Sequence, residues 1–202
     1  MSAPHGARSW WERSGGARLA VALLLCGAAL VVDGLWIPLK AALAQTLLER
    51  AWHSTRATPG PPARPWPWAD TWPVARLRLP AAHEPLIVLA GASGRTLAFA
   101  PAWLDGTAAP GDDGVSVIAA HRDTHFRALE HLEIGDKLTV ERRDGRSRAY
   151  EVVALDVVDA TKTRLSLDAP DPVLALVTCY PFDALTAGGP LRYVVTAIAL
   201  PP

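Results

Sequence analysis

Cys179 stands where a thiol could act as a nucleophile. It ends the apolar run VLALVTC, which is typical of a buried strand, and Tyr180-Pro181 follows, where a strand must stop donating ladder hydrogen bonds. A side chain at such a strand end lies at the rim of a protein core. Because a lone cysteine is more often a small buried hydrophobe, its interpretation depends on the residues that lie near it.

Two basic residues lie on other apolar runs. His121 follows VSVIAA and leads into a polar segment, while Arg192 lies on the run LRYVVTAIAL, where burying a guanidinium is costly unless it has a partner. A thiolate is the nucleophile of cysteine chemistry, and imidazole and guanidinium groups can act as acid–base catalyst and oxyanion stabiliser. The three residue types therefore predict Cys179 as nucleophile, His121 as acid and base, and Arg192 as oxyanion stabiliser.

A metal site is the rival chemistry for the histidines, since His121 and His125 are four residues apart and His131 follows. They could share a helix face only if a helix began at His121, and the polar residues directly after the strand disfavour that start. No carboxylate or second cysteine completes a ligand set. Four aspartates have the character of solvated turn residues: Asp112, Asp113, Asp168 and Asp171. We predict no metal and no cofactor.

The composition excludes several classes of protein. The 202 residues contain 20 Lys+Arg and 20 Asp+Glu, so the chain lacks the net basic charge that would indicate nucleic-acid binding. Two cysteines are too few for a disulfide framework or a four-thiolate metal site. With 50% hydrophobic and 20% charged residues, the chain is too apolar for intrinsic disorder. Its length predicts one folded domain with an additional segment.

We interpret the additional segment as an N-terminal membrane anchor. Residues 19–37 read LAVALLLCGAALVVDGLWI, which is long enough to cross a bilayer core of roughly 30 Å as a helix and is interrupted only by Asp33. Arginines at positions 8, 13 and 18 precede it, so the positive-inside rule places residues 1–18 in the cytoplasm. The rest of the chain would then lie outside the inner membrane, in the periplasm.

A cleaved signal peptide is the second interpretation of this stretch, because residues 19–32 also fit the length of a signal peptide's apolar region. The lack of a well-placed small-residue cleavage pattern favours the anchor. A lipoprotein signal is excluded, since Leu25 stands before Cys26 where a small residue is needed. An anchored Cys26 cannot pair with Cys179, which leaves a free thiol in an oxidising compartment and favours a working thiol.

Residues 38–72 connect the anchor to the folded domain. The first part keeps an amphipathic helical pattern after Pro38, and the second part, TRATPGPPARPWP, is too rich in proline for a helix or a central strand. We interpret this segment as a juxtamembrane helix and a linker with few tertiary contacts. The catalytic domain is placed at residues 73–202, and we expect it to fold without the anchor and the connecting segment that precede it.

The domain has an all-β pattern. Asp144-Gly145, between two of its apolar runs, predicts a tight hairpin turn, and only the stretch 124–132 has apolar residues at helical spacing. Short Val- and Leu-rich runs, separated by Gly, Pro and Asp, predict an antiparallel barrel or sandwich: 74–79, 85–90, 115–120, 137–142, 147–155, 173–179 and 191–200.

Two motifs in this order resemble those of a known family. The stretch AAHRDTHFRAL (119–129) resembles the histidine motif of the sortases, and ALVTCYPF (175–182) resembles their Thr-Leu-x-Thr-Cys signature. A basic residue, Arg192, follows the cysteine by thirteen positions. Residues 64–77 and 91–111 are also similar to membrane-anchored sortases of proteobacteria, so the resemblance covers nearly the whole chain.

Two positions depart from the family pattern. Ala175 replaces the first Thr of the signature, and Ala120 stands where many relatives have Gly before the histidine. Both positions concern the lining of the pocket, and the three catalytic residue types are unchanged.

The resemblance implies a closed β-barrel of about eight strands in which Cys179, His121 and Arg192 converge at one end of a groove. It implies a protein substrate with a sorting signal similar to Leu-Pro-x-Thr-Gly, whose Thr carbonyl is attacked by the thiolate to form a thioester. Arg192 would bind the substrate backbone and the oxyanion, and His121 would protonate the departing amine. Ala120 and Thr178 would line or support the substrate groove. An amine, left unspecified, would then take the acyl group.

Two alternatives stay open. A cysteine endopeptidase would use the same residues but release the acyl product to water. A non-catalytic, membrane-tethered β-barrel would bind a partner, with Cys179 merely packed and Arg192 satisfied by a backbone carbonyl.

Overall fold

The computed structural model describes residues 10–58, 60–80, 82, 84–184, 186 and 188–201, and their side chains from residue 16 onwards except at residue 37. The chain divides into two compact units, Met1–Leu43 and Ala44–Pro202.

The first unit contains most of helix α1, which spans Trp10–Ala57 and is continuous through Pro38. The side chains of Leu23, Leu24 and Leu30 in this unit are largely exposed. Within Gly16–Ala57 an 18-residue window reaches a mean hydropathy of 2.3. By length and composition this N-terminal helix can therefore cross a membrane, as the sequence predicted.

The second unit is built on eight strands that form a closed barrel in the order β1-β2-β3-β4-β7-β8-β6-β5. The strands are β1 (Pro73–Arg78), β2 (Leu86–Ala90), β3 (Ala102–Trp103), β4 (Val115–Ala119), β5 (Lys137–Arg142), β6 (Ser147–Asp159), β7 (Val173–Cys179) and β8 (Leu191–Ala199). This confirms the predicted closed barrel of about eight strands.

Strand pairing differs from the sequence prediction in two places. β2 pairs with β3 and β4 pairs with β7 in parallel, whereas the other neighbours are antiparallel. The predicted hairpin is confirmed: β5 and β6 are antiparallel, and Gly145 in their turn has φ of +85°, which a residue without Cβ adopts at no steric cost. The parallel pair matters for function, because it aligns the ends of β4 and β7.

The barrel interior is filled by apolar side chains and closed by a short 3-10 helix, Arg127–His131. The sequence predicted a helix over 124–132, but its three apolar residues, Phe126, Leu129 and Leu132, are spaced by three. That spacing matches the three residues per turn of a 3-10 helix, so all three side chains enter the core. The other short helix, α2 (Gly94–Leu97), is capped by the Ser93 hydroxyl, which accepts from the Thr96 amide.

The last part of α1, from Ala44 onwards, belongs to the second unit and packs on the barrel. Leu48 and Trp52 are fully buried, in a cluster with Ile87, Leu89 and Ala100.

The proline-rich segment after α1 also packs on the barrel. Trp66 contacts Phe99 with 5.0 Å between ring centroids, and the Thr71 hydroxyl donates to the Ala90 carbonyl at 2.7 Å. This segment therefore makes more tertiary contacts than the sequence predicted, through the Trp66 ring and the Thr71 hydroxyl. The domain start at residue 73 stays a prediction about where a foldable fragment begins.

We expect a fragment of residues 44–202 to melt about 10 °C above a fragment of residues 73–202, because the shorter one exposes the surface that Trp52 covers. Thermal denaturation followed by circular dichroism measures this difference. Within the longer fragment, Trp52→Ala should lower the midpoint and Trp68→Ala, whose side chain is 81% exposed, should not. Equal midpoints for the two fragments would show that residues 44–72 do not stabilise the barrel.

Candidate active site

Cys179 is the last residue of β7, and the neighbouring strands place His121 and Arg192 on either side of it. In the antiparallel pair of β7 and β8, Cys179 lies opposite Arg192. In the parallel pair of β4 and β7, Ala119 lies opposite Val177, so the same register brings His121 level with Cys179. Since paired strands are about 4.8 Å apart, the three residues lie side by side at one end of the barrel.

Side-chain alternation puts the three residues on one face of the sheet. Successive side chains of a strand point to opposite faces, and every second residue of these strands lies in the barrel core. Those inward-facing residues are Ile118, Ala120, Leu174, Leu176, Val195 and Ala197. His121, Cys179 and Arg192 therefore share the outer face, where Cys179 is partly exposed and His121 is exposed.

The ends of β4 and β7 are joined by two further hydrogen bonds. The Ala120 amide donates to the Val177 carbonyl at 3.2 Å, and the Thr178 hydroxyl donates to the Ala120 carbonyl at 2.7 Å. Both side chains are buried: Ala120 belongs to the core cluster and Thr178 is 2% exposed. These two hydrogen bonds fix the backbone next to His121 and Cys179.

A turn after β4 sets the direction of His121. The His121 carbonyl accepts from the Phe126 amide at 3.0 Å, and the Phe126 ring is fully buried in the barrel core. His125 in this turn is half-buried, and burial together with the charge of nearby His121 holds the pKa of His125 below its ordinary value. The lowered pKa of His125 favours the neutral form of its ring.

Arg192 is held by the chain that leads into β8. Its Nη1 atom donates to the Gly189 carbonyl and to the Leu191 carbonyl, both at 2.8 Å. Gly188 and Gly189 have φ of +103° and +87°, which turns the backbone before β8 in a way that residues with Cβ rarely adopt. The two bonds use one side of the planar guanidinium fork.

A second arginine, Arg122, lies directly after His121 and is only 8% exposed. Its Nη2 atom donates to the Ala184 carbonyl at 3.1 Å and to the Thr186 carbonyl at 2.8 Å, both in the connection between β7 and β8. No pattern in the sequence indicated this burial, because Arg122 follows an apolar run rather than lying within one as Arg192 does.

An aromatic cluster supports the first residues after β7. The Tyr180 and Tyr193 rings stack with centroids 6.3 Å apart, and Phe182 meets Tyr193 edge-on at 5.2 Å. Burial raises the pKa of Tyr193, and the nearby Tyr180 and Asp156 add to that shift. Phe182 and Tyr193 also pack against the barrel core. The chain that leaves Cys179 is thus fixed by ring packing.

A cleft of about 380 Å³ on the outer face of the barrel is lined by Arg192 and by side chains of β4 and β7 that precede His121 and Cys179. Val177 and Ala119 line it two residues before Cys179 and His121, and Arg192 lines its end. The other lining residues come from β4, β6, β8, the residue after β3 and the chain between β6 and β7: Leu104, Val117, Asp156, Val158, Ala160, Thr163, Leu165, Val194 and Thr196. The lining of the cleft is therefore mostly apolar, and Arg192 is the member of the three residues that lines it.

Comparison with known proteins agrees with this geometry. Residues 77–199 match the family model described as the Sortase domain, which covers more than half of the chain and includes Cys179, His121 and Arg192. Over 87 residues the chain is 37% identical to sortase D of Bacillus subtilis (strain 168). That match covers 43% of this chain and 43% of the relative, so the aligned part spans less than half of the curated relative.

Solved structures share the fold. Sortase C-1 from Actinomyces oris is 30% identical, with a TM-score of 0.56 over 64% of this chain and 74% of the other. Sortase A from Corynebacterium diphtheriae is 23% identical, with a TM-score of 0.59 over 80% and 86% of the two chains. The sortase D5 transpeptidase from Clostridium perfringens is also 23% identical, with a TM-score of 0.55 over 64% and 79%. From the family match and the barrel together, the chain belongs to the sortase family.

Proposed function

We propose that the protein is a cysteine transpeptidase that cuts a sorting signal similar to Leu-Pro-x-Thr-Gly and transfers the acyl group to an amine. The observation that carries the proposal is the position of Cys179 between His121 and Arg192 on one face of the barrel, where Arg192 also lines an apolar cleft. The family match supports the same reaction class.

The first half of the reaction uses all three side chains. The Cys179 thiolate adds to the carbonyl carbon of the substrate threonine, and the carbonyl electron pair moves onto oxygen as an oxyanion. Arg192 donates to that oxyanion through the side of its guanidinium that does not face Gly189 and Leu191. Collapse of the intermediate breaks the peptide bond, His121 gives a proton to the departing amine, and a thioester remains.

The second half reverses these steps with a different amine. The incoming amine adds to the thioester carbonyl, His121 takes its proton, and the Cys179 thiolate leaves as the amide bond forms. Water entering in place of the amine would release a free acid, which is the endopeptidase outcome. The ratio of amine transfer to hydrolysis depends on whether an amine or water reaches the thioester first.

Recognition of the signal is assigned to the cleft. Its floor is lined by the β4, β7 and β8 side chains Val117, Val177 and Val194, a surface suited to an apolar residue such as leucine. Ala120 and Thr178 lie beneath this floor rather than in it, and we assign them the role of supporting the groove by tying β4 to β7.

The N-terminal helix is proposed as a signal anchor in the inner membrane, with residues 1–18 cytoplasmic and the barrel in the periplasm. The basic residues before the apolar stretch support this orientation. A protein substrate presented at the outer side of that membrane and a primary amine acceptor are the partners that the reaction requires.

A peptide assay with the full chain in detergent tests the function. Fluorogenic peptides of the Leu-Pro-x-Thr-Gly type are incubated with and without a primary amine such as triglycine, and the products are identified by mass spectrometry. We expect cleavage after threonine and a ligated product when the amine is present. Cleavage without ligation at any amine concentration would favour the endopeptidase, and binding without cleavage would favour the non-catalytic barrel.

A further inference from the structure

The connection between β7 and β8, residues 180–190, joins the cysteine to the arginine of the proposed site. At its beginning, Tyr180 and Phe182 pack on Tyr193. At its end, the Gly189 carbonyl accepts from Arg192. Between these two points, Arg122 provides two hydrogen bonds to its backbone. The connection is thus held by side chains from β4 and β8 as well as by its own rings.

Burial of the Arg122 guanidinium costs free energy at this position. Its Nη1 atom is buried and has no hydrogen-bond partner among the described residues, while Nη2 serves both the Ala184 and Thr186 carbonyls. A well-packed apolar side chain is often as favourable at such a place as a buried guanidinium. The two hydrogen bonds to the connection are what Arg122 provides there among the described residues.

Arg122 and Arg192 both donate to backbone carbonyls of the β7–β8 connection, at Ala184 and Thr186 and at Gly189 respectively. Arg122 follows His121 directly, its guanidinium reaches Ala184 and Thr186, and the same connection continues to Gly189, whose carbonyl fixes the Arg192 guanidinium. A shift of the connection would move the carbonyl that orients Arg192. The direction in which Arg192 can donate to an oxyanion depends on that carbonyl.

We propose that Arg122 is a positioning residue for transpeptidation: it holds the β7–β8 connection so that the Gly189 carbonyl orients Arg192 toward the oxyanion. This inference rests on the proposed function of Cys179, His121 and Arg192. Arg122 itself touches backbone carbonyls and not the substrate.

Arg122→Met in the full chain is the first test, because methionine keeps an unbranched apolar stem and removes the donors. We expect kcat for peptide cleavage to fall about ten- to a hundredfold with KM changed less than threefold, since oxyanion stabilisation acts on the transition state. The melting midpoint should stay the same or rise. Arg122→Lys, which retains a cationic donor, should recover part of the loss.

Arg143→Met is the matched control. Arg143 also donates to a backbone carbonyl, that of Gly60 at 3.0 Å, and also has a buried nitrogen without a partner among the described residues. It lies at the β5–β6 turn, beside Asp112 and away from Cys179. We expect this variant to keep the wild-type kcat. An equal loss of kcat in both arginine variants would overturn the inference.

A double-mutant cycle tests whether Arg122 acts through Arg192. If it does, Arg122→Met should lower kcat less than threefold in an Arg192→Lys background, because the group to be oriented has already been replaced. Additive losses would mean that Arg122 acts independently of Arg192 and would refute the positioning role.

Hydrogen exchange separates failure of the inference from failure of the proposed function. In Arg122→Met, the backbone amides of Asp183, Ala184, Thr186, Gly188 and Gly189 should exchange faster than in the wild type and in Arg143→Met, whether or not the protein turns over a peptide. Unchanged exchange in this segment would overturn the inference even in an active enzyme. An inactive wild-type protein would instead contradict the proposed function while leaving the exchange result interpretable.

Discussion

Cys179→Ala should abolish transpeptidation, lowering kcat to below about one ten-thousandth of the wild-type value. The thioester requires the sulfur that attacks the substrate carbonyl, and alanine offers no nucleophile in its place. Intact-mass spectrometry after mixing with peptide should show the acyl-enzyme adduct on the wild type, and none on the variant. The fold should be retained, because Cys179 is at the end of β7 and partly exposed.

Cys26→Ala is the control for this substitution, since Cys26 is the other cysteine of the chain and is also a free thiol. It should keep the wild-type kcat. Turnover and adduct formation that survived Cys179→Ala would assign the chemistry to a different group and would revive the binding-module alternative.

Arg192→Lys should lower kcat about 10²- to 10³-fold, which corresponds to about 3–4 kcal/mol of transition-state stabilisation. Lysine keeps the charge but replaces the planar fork by a single ammonium. One guanidinium can bond Gly189 and Leu191 on one side and an oxyanion on the other, whereas an ammonium that reaches these carbonyls is drawn away from the substrate. Steady-state kinetics with the fluorogenic peptide measures the effect.

Arg148→Lys gives the reference for this comparison. Arg148 lies on β6, and its guanidinium pairs with Asp113 at 2.9 Å rather than with any residue of the proposed site. That variant should keep kcat within about twofold, because partly exposed ion pairs contribute little. A wild-type kcat in Arg192→Lys would show that charge alone suffices and that the planar fork has no role in the reaction.

The sequence predicted the positions of the reactive residues better than the pairing that brings them together. Pro181 after Cys179 and the polar residues after His121 end their strands, so both side chains could be placed at strand ends from local chemistry alone. The parallel pairing of β4 with β7 depends on contacts 58 residues apart in the chain, and no local pattern encodes it. Family resemblance, and not periodicity, supplied that convergence.

Three features of the structure were not predicted from the sequence, and each omission has a physical reason. β3 is a two-residue strand, Ala102–Trp103, too short for an alternating pattern to appear. The proline-rich segment before β1 was expected to be a linker with few contacts, but the partly buried Trp66 ring packs against Phe99. The end of α1 before it also packs on the barrel through the fully buried Trp52. Arg122 was passed over since a charged residue after a strand is ordinarily solvated, and its burial depends on the β7–β8 connection folding back over it.

Closure of the barrel limits the ways in which the protein can recognise a bound peptide. Many proteins hold an extended peptide by letting it join a sheet as an extra strand, so that main-chain bonds supply the affinity whatever the peptide's sequence. Among the described residues the eight strands close into a barrel, so each strand has a neighbour on both sides and the barrel lacks a full-length edge strand. Under the proposed function, a peptide on the outer face would be recognised by the side chains that enter the cleft beside Val177 and Val194. Selectivity would then reside in a few positions of the signal, and the chain around them would be free to diverge from one protein substrate to the next.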